Sequence, residues 1–143
     1  MTQLNDMTPT PPATRASRVR WAVVGSGGIA VRTVGDLRRC PDAEVVAICS
    51  REQSRADAFA QAHDLPLAFG DFAQLCASER VDAVYIGTPH ATHFALASQA
   101  LRAGKHVLCE KPLTMTADEA RVLGQLAAEH GVFLMEEIGR AHV

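Results

Sequence analysis

Short apolar runs recur along this chain at Val19–Val24, Glu44–Cys49, Ala83–Ile86, His106–Cys109 and Val132–Met135, with amphipathic stretches between them. Near-continuous apolar runs of this length suit strands covered on both faces of a parallel sheet. A weaker run at Leu67–Phe69 completes a set of six. The intervening stretches carry helical spacing: Ala30, Val34 and Leu37 share one face, as do Phe94, Ala97 and Leu101. Gly104 stands where the C-cap of the second of these helices belongs. Thr116-Ala-Asp-Glu119 has the spacing of a capping box, and His130-Gly131 closes the helix that it opens. Shorter helices are expected over 54–62 and 71–77. The regular alternation predicts an α/β domain with a doubly wound, mainly parallel six-stranded sheet.

Composition narrows the function. A chain of 143 residues holds one domain, and 48% hydrophobic with 21% charged residues is an ordinary globular mixture. The net charge of -2 leaves no basic face for neutralising many phosphates, so a nucleic-acid surface is not expected. Cys40, Cys49, Cys76 and Cys109 lack any C-x-x-C spacing. They disfavour a zinc or disulfide scaffold and suit a reducing, cytoplasmic setting. No apolar stretch approaches the roughly 18 residues of a membrane span, and no signal peptide is evident at the start. Residues 1–17, rich in Thr and Pro, read as a disordered tail before a domain over 18–135.

Directly after the first apolar run comes Gly25-Ser26-Gly27-Gly28-Ile29-Ala30, a G-x-G-x-x-A string between an expected strand and an expected helix. In a Rossmann sheet, Gly25 permits the tight turn and Gly27 lets backbone approach a pyrophosphate. Ala30 is small enough for close packing, and the helix that starts at Gly28 and Ile29 offers unpaired N–H groups. About twenty residues on, an NAD site offers a carboxylate to the ribose. Here Ser50-Arg51 stands there, with Arg55 one helical turn later. A hydroxyl and guanidinium suit the 2′-phosphate of NADP, which is the reading adopted, with NAD second. The alternative is that Arg51 is solvated and Glu52 holds the ribose.

The fourth run ends in Gly87-Thr88-Pro89-His90, at the point where strand order reverses in open α/β sheets. Thr88 and Pro89 are candidates for the floor of the nicotinamide half of the cofactor. His93 is expected in the first turn of the next helix, facing the ligand cleft. A metal held by His90, His93 and His106 is not expected, since no carboxylate or thiolate cluster completes a geometry. The fifth run leads into Glu110-Lys111-Pro112, and Lys111 is one of only two lysines in the chain. It can stabilise or protonate an oxygen, or simply pair with Glu110 at the surface.

The stretch from Val81 to Pro112, with its A-G-K-H-V-L-C-E-K-P and T-P-x-x-x-H runs, resembles the nucleotide-binding half of the glucose–fructose oxidoreductase and inositol dehydrogenase (Gfo/Idh/MocA) family. Its trans-dihydrodiol dehydrogenase-like branch is the nearest in pattern, and the resemblance covers about residues 18–135. It implies hydride transfer between NAD(P) and a sugar, polyol or cyclic diol. It also implies that Lys111 polarises the reacting oxygen, and that Glu110 and Lys111 border the cofactor. Members are similar in carrying a second, substrate-binding domain and in forming homo-oligomers. This chain ends shortly after Met135, and residues 136–143 read as a non-native tail of a truncated chain. The chain is thus expected to bind cofactor without turnover. A stand-alone dinucleotide-binding or redox-sensing module acting through a protein partner is the alternative.

Overall fold

The computed structural model describes residues 17–138. Residues 1–16 of the expected tail and 139–143 of the terminal segment lie outside the described residues. The strands are β1 (Val19–Val24), β2 (Ala43–Cys49), β3 (Leu67–Phe69), β4 (Ala83–Ile86), β5 (His106–Glu110) and β6 (Leu134–Glu137). The helices are α1 (Gly28–Arg38), α2 (Gln53–His63), α3 (Phe72–Ala77), α4 (His93–Arg102) and α5 (Ala117–His130), with a single 3-10 turn at His90–Thr92. All six strands run parallel in the order β3-β2-β1-β4-β5-β6. The order reverses between β1 and β4, so the loops after these two strands diverge and open a crevice.

Helices α1 and α2 cover one face of the sheet, and α3, α4 and α5 cover the other. One row of side chains crosses all six strands in register: Ala68, Ile48, Val23, Tyr85, Leu108 and Met135. Its burial follows the helices above it. Ile48 and Val23 are fully enclosed beneath α1 and α2, whereas Met135 at the far edge is 66% exposed. The opposite face is closed throughout by Ala22, Val84, Val107, Leu101 and Leu123.

The helix ends follow their local chemistry. The Thr116 hydroxyl accepts from the Glu119 N–H at 3.2 Å, and the Glu119 carboxylate accepts from the Met115 N–H at 3.1 Å. The box therefore reaches one residue further back than its simplest form. Asp71 caps α3 through the Ala73 N–H, and Gly131 ends α5 in the left-handed conformation. Strand β6 starts and ends two residues later than its apolar run suggests. Gly131 and Val132 still turn out of α5, and pairing begins at Leu134. Glu136 and Glu137, expected in the terminal segment, instead pair with Cys109 and Glu110.

At the amino edge, the Arg20 guanidinium grips the Asp82 carboxylate at 2.7 and 2.9 Å, and the Arg20 N–H adds a third bond at 2.8 Å. The buried Lys105 ammonium donates to the Ser78 and Val81 carbonyls at 2.8 and 2.7 Å. One of the two lysines is thereby committed to holding a loop far from the crevice.

Candidate functional site at the carboxyl edge

Backbone hydrogen bonds carry the sheet pairing one residue past the strand ends. Gly25 N–H donates to Cys49, Gly87 N–H to Val24, and Ser50 N–H to Phe69, at 2.8–3.0 Å. These bonds bring the loops after β1, β2, β3 and β4 around one cavity of about 590 Å³. Gly25, Gly27, Ser50, Arg51, Arg55, Thr88 and Pro89 all line it. A volume of this order is that of a small-molecule or cofactor site.

Each part of the wall has a physical origin. Gly25 sits at φ +101°, where a side chain is strained, and a Cβ there would lie 2.9 Å from the Gly87 carbonyl oxygen. At Gly27 an added Cβ would meet nothing within 4 Å. The fold itself does not demand a glycine at that position. The open backbone there leaves room for a ligand to approach the cavity wall. Gly27 is also the N-cap of α1, makes no side-chain cap, and has no acid in the turn that follows. The free N–H groups and positive dipole end of an eleven-residue helix thus stand at the cavity mouth.

The wall after β2 is cationic. Ser50 reaches across to Ser26, with the hydroxyls 3.5 Å apart, and Arg51 and Arg55 follow. Arg55 also lies 3.6 Å from the Glu52 carboxylate. Glu52 does not line the cavity, and Asp71, the one carboxylate that does, is already bonded to the Ala73 N–H at 2.9 Å. Burial pushes the Cys49 thiol on this wall up to about 12 and Cys76 behind it up to about 11, so neither is a nucleophile at neutral pH.

The loop after β3 contributes Gly70, Asp71 and Phe72, which sequence reasoning did not single out. A Cβ at Gly70 would fall 2.8 Å from the Gln53 nitrogen, so glycine lets this loop pass α2. The Gln53 side chain then clasps it, accepting from the Gly70 N–H and donating to the Ala68 carbonyl. A Gly-Asp pair after a three-residue strand was the available signal. Thr92 and Leu96, from the turn and helix after Pro89, complete the wall.

Other expected residues lie elsewhere. Ile29, Glu110 and Lys111 line a second cavity of about 360 Å³ on the α1 face of the sheet, with Tyr85, Thr33 and Glu137. Gly28, at the start of α1, is exposed and lines neither cavity. The two cavities share a partition: a Cβ at Gly87 would lie 2.8 Å from the Tyr85 ring and 3.3 Å from Ile29. The Glu110 carboxylate accepts from the Tyr85 hydroxyl at 2.6 Å, which leaves Lys111 exposed rather than tied into a surface pair. Burial and that carboxylate both push the Tyr85 phenol upward, so it stays a donor.

His93 requires a correction. It does open α4, but it does not face the cleft. Its ring is completely buried, with Nδ1 2.8 Å from the Pro112 carbonyl oxygen and Nε2 2.9 Å from that of Thr88. Side chains on a helix lean toward its N-terminus, and here that direction leads between the two loops. Among the described residues no group of His, Cys, Asp and Glu side chains gathers as a metal site.

Comparison with known proteins agrees with this geometry. The sequence pattern of the oxidoreductase family with an NAD-binding Rossmann fold matches residues 19–138. Trans-1,2-dihydrobenzene-1,2-diol dehydrogenases of Sus scrofa and Macaca fascicularis are 43% and 42% identical over 122 residues, covering 84% of this chain. The chain spans only 36% of their length. The solved structure of KijD10, a 3-ketoreductase from Actinomadura kijaniata in complex with NADP, superposes with a TM-score of 0.79 at 39% identity, covering 84% of this chain and 38% of that one. An NAD binding oxidoreductase from Klebsiella pneumoniae gives a TM-score of 0.80 at 30% identity, covering 84% and 34%. With its sheet order, glycine loop and family pattern in agreement, this chain belongs to the Gfo/Idh/MocA oxidoreductases, of which it is an NAD-binding Rossmann domain.

Proposed function

We propose that the larger cavity binds NADP or NADPH and that the chain is the cofactor half of an oxidoreductase acting on a sugar, polyol or cyclic diol. The observation that carries this is the convergence of the loops after β1, β2 and β4 on one cavity, where the fold itself does not need the glycine at Gly27. Gly25, Gly27 and the N–H groups opening α1 at Gly28 and Ile29 hold the pyrophosphate. Ser50, Arg51 and Arg55 hold the 2′-phosphate. Two features favour NADP over NAD: the cavity wall there is cationic, and its carboxylate is occupied in capping α3. Thr88 and Pro89 floor the nicotinamide end. One neighbour, KijD10, was solved with NADP, which supports this choice.

The bound nicotinamide would supply hydride exchange at its C4 carbon. What the chain adds is position and charge. Lys111, exposed beside Glu110, polarises the hydroxyl or carbonyl of a small-molecule substrate and moves its proton. Tyr85 holds Glu110 on the far side of the β5 loop. In this reading the substrate pocket and the subunit contacts of a homo-oligomer lie outside the Rossmann domain, so residues 17–138 by themselves are expected to bind cofactor without turnover. No helix among the described residues is long and apolar enough to cross a membrane. The unpaired thiols of Cys40, Cys49, Cys76 and Cys109 suit a reducing cytoplasm.

Titration of the chain with NADPH and NADH, followed by nicotinamide fluorescence, tests this reading. NADPH is expected to bind more tightly. Arg51→Ala should weaken NADPH roughly 10- to 100-fold, the worth of a charge-assisted hydrogen bond of about 1.5–3 kcal/mol, with little effect on NADH. Equal loss for both nucleotides would remove the 2′-phosphate assignment, and no binding of either would remove the whole reading.

A further inference from the structure

The buried imidazole of His93 lies between two loops that the proposed chemistry must keep in register. One is the loop after β4, whose Thr88 carbonyl stands 2.9 Å from Nε2. The other is the loop after β5, whose Pro112 carbonyl stands 2.8 Å from Nδ1 and directly follows Lys111. Each loop is fastened by further hydrogen bonds. The Thr92 hydroxyl donates to the Pro89 carbonyl and shares a 2.6 Å contact with the Thr88 hydroxyl. On the other side, Leu113 N–H donates to the Glu136 carboxylate at 2.6 Å. His93 is the link that joins one fastened loop to the other. Both partners are carbonyl oxygens, so a ring with one N–H donates to one of them, and a ring carrying both protons donates to both. The ring is completely buried, which makes a lost partner expensive.

We propose that His93 is a positioning residue that couples the floor of the nucleotide cavity to Lys111, so that a ligand seated against Thr88 and Pro89 resets the lysine loop. The proposal rests on the nucleotide-binding reading above and assigns His93 no contact with the ligand. A displacement of the Thr88 carbonyl is passed through a rigid aromatic ring to the Pro112 carbonyl, one residue beyond Lys111. Close-packed, hydrogen-bonded groups transmit such a shift, whereas an apolar ring of similar size fills the space and leaves the carbonyls unjoined.

The composition provides a clean probe, because the chain contains only Lys105 and Lys111. Selective isotope labelling of lysine gives an NMR signal for each. Lys105, buried and bonded to the Ser78 and Val81 carbonyls, serves as the internal reference. Saturating NADPH should shift the Lys111 signal of the wild-type chain and leave that of Lys105 in place. His93→Phe should still bind NADPH, yet lose most of the Lys111 shift, and His93→Gln, which keeps a donor, should recover part of it. Should His93→Phe fail to fold, His93→Ala with added imidazole carries the same test, and the shift should return as imidazole fills the space. A full Lys111 shift in His93→Phe, or no return of the shift with imidazole in His93→Ala, overturns the coupling while leaving nucleotide binding intact. Failure of the wild-type chain to bind NADPH overturns the functional reading, and the coupling with it.

Discussion

Gly25 and Gly27 occupy the same loop, but the protein requires glycine at them for different reasons. At Gly25 the backbone is left-handed, at φ +101°, and the Gly87 carbonyl oxygen blocks any Cβ at 2.9 Å. Gly25→Ala should therefore destabilise the fold by about 1–3 kcal/mol, the range for strained backbone, and lower Tm measurably. Gly27 has an ordinary φ of -78° and open space around its missing side chain. Gly27→Ala should leave Tm nearly unchanged and weaken NADPH binding, because the added methyl intrudes where the pyrophosphate approaches. Thermal melts and nucleotide titrations of the two variants separate these effects. A large drop in Tm for Gly27→Ala would show that the glycine serves the fold. At this scale the sequence spoke most clearly where backbone chemistry allows few residue types. Gly25, Gly27, Ser50, Arg51, Thr88 and Pro89 were all readable from position relative to a strand end. His93 was misread because spacing places a residue on a helix and not which side of a loop its ring enters. Phe72 was missed because an aromatic residue after a three-residue strand looks like core.

Strand pairing at the amino edge carries its own pH dependence. The Arg20 hydrogen bond holds the Asp82 carboxyl below its usual value, outweighing the opposing effect of burial. A carboxyl whose folded value is lowered binds fewer protons when folded than when unfolded. The pair therefore stabilises β1 against β4 fully above the unfolded carboxylate range of about 4, and the contribution fades as pH falls through the lowered folded value. Both side chains are more than a third exposed, so the effect is modest and screened by salt. Asp82→Asn should lower the urea midpoint at pH 7, and its difference from the wild-type chain should shrink steadily below pH 4. A difference that persisted unchanged at pH 2 would place its cause outside the carboxylate charge. Elements themselves were read well where an apolar run was sharply bounded, even a short one. Strands β1, β3 and β4 fall on their expected residues. Strand β6 slid by two residues because Val132 and Phe133 are apolar enough to resemble strand while completing the turn after Gly131. Its acidic end, Glu136 and Glu137, carries no strand signature; only the partners of those carboxylates, the Leu113 N–H and the second cavity, give them a reason to be there.

The doubly wound sheet is covered unevenly, and that shape has consequences for the whole molecule. Helices α1 and α2 lie over β1, β2 and β3, while no helix among the described residues covers the same face of β5 and β6. Leu108, Phe133 and Met135 therefore form an apolar strip, with Phe133 79% and Met135 66% exposed. The near-continuous apolar run Val107–Cys109 in β5 is that of a strand buried on both faces, yet no helix among the described residues covers one of them. Such a strip adjoining a parallel sheet favours self-association unless something covers it. Side chains that are already in water contribute little to the folded state, so removing their apolar surface should separate association from stability. The double variant Phe133→Ser, Met135→Gln is expected to elute later and more narrowly on gel filtration, and to bind less of an apolar dye, with Tm close to that of the parent chain. A parent chain that already runs as a sharp monomer and binds no dye would show that the strip is too small to drive association. A large fall in Tm for the variant would show instead that Phe133, whose ring lies 5.6 Å from that of His106, supports the edge of the sheet.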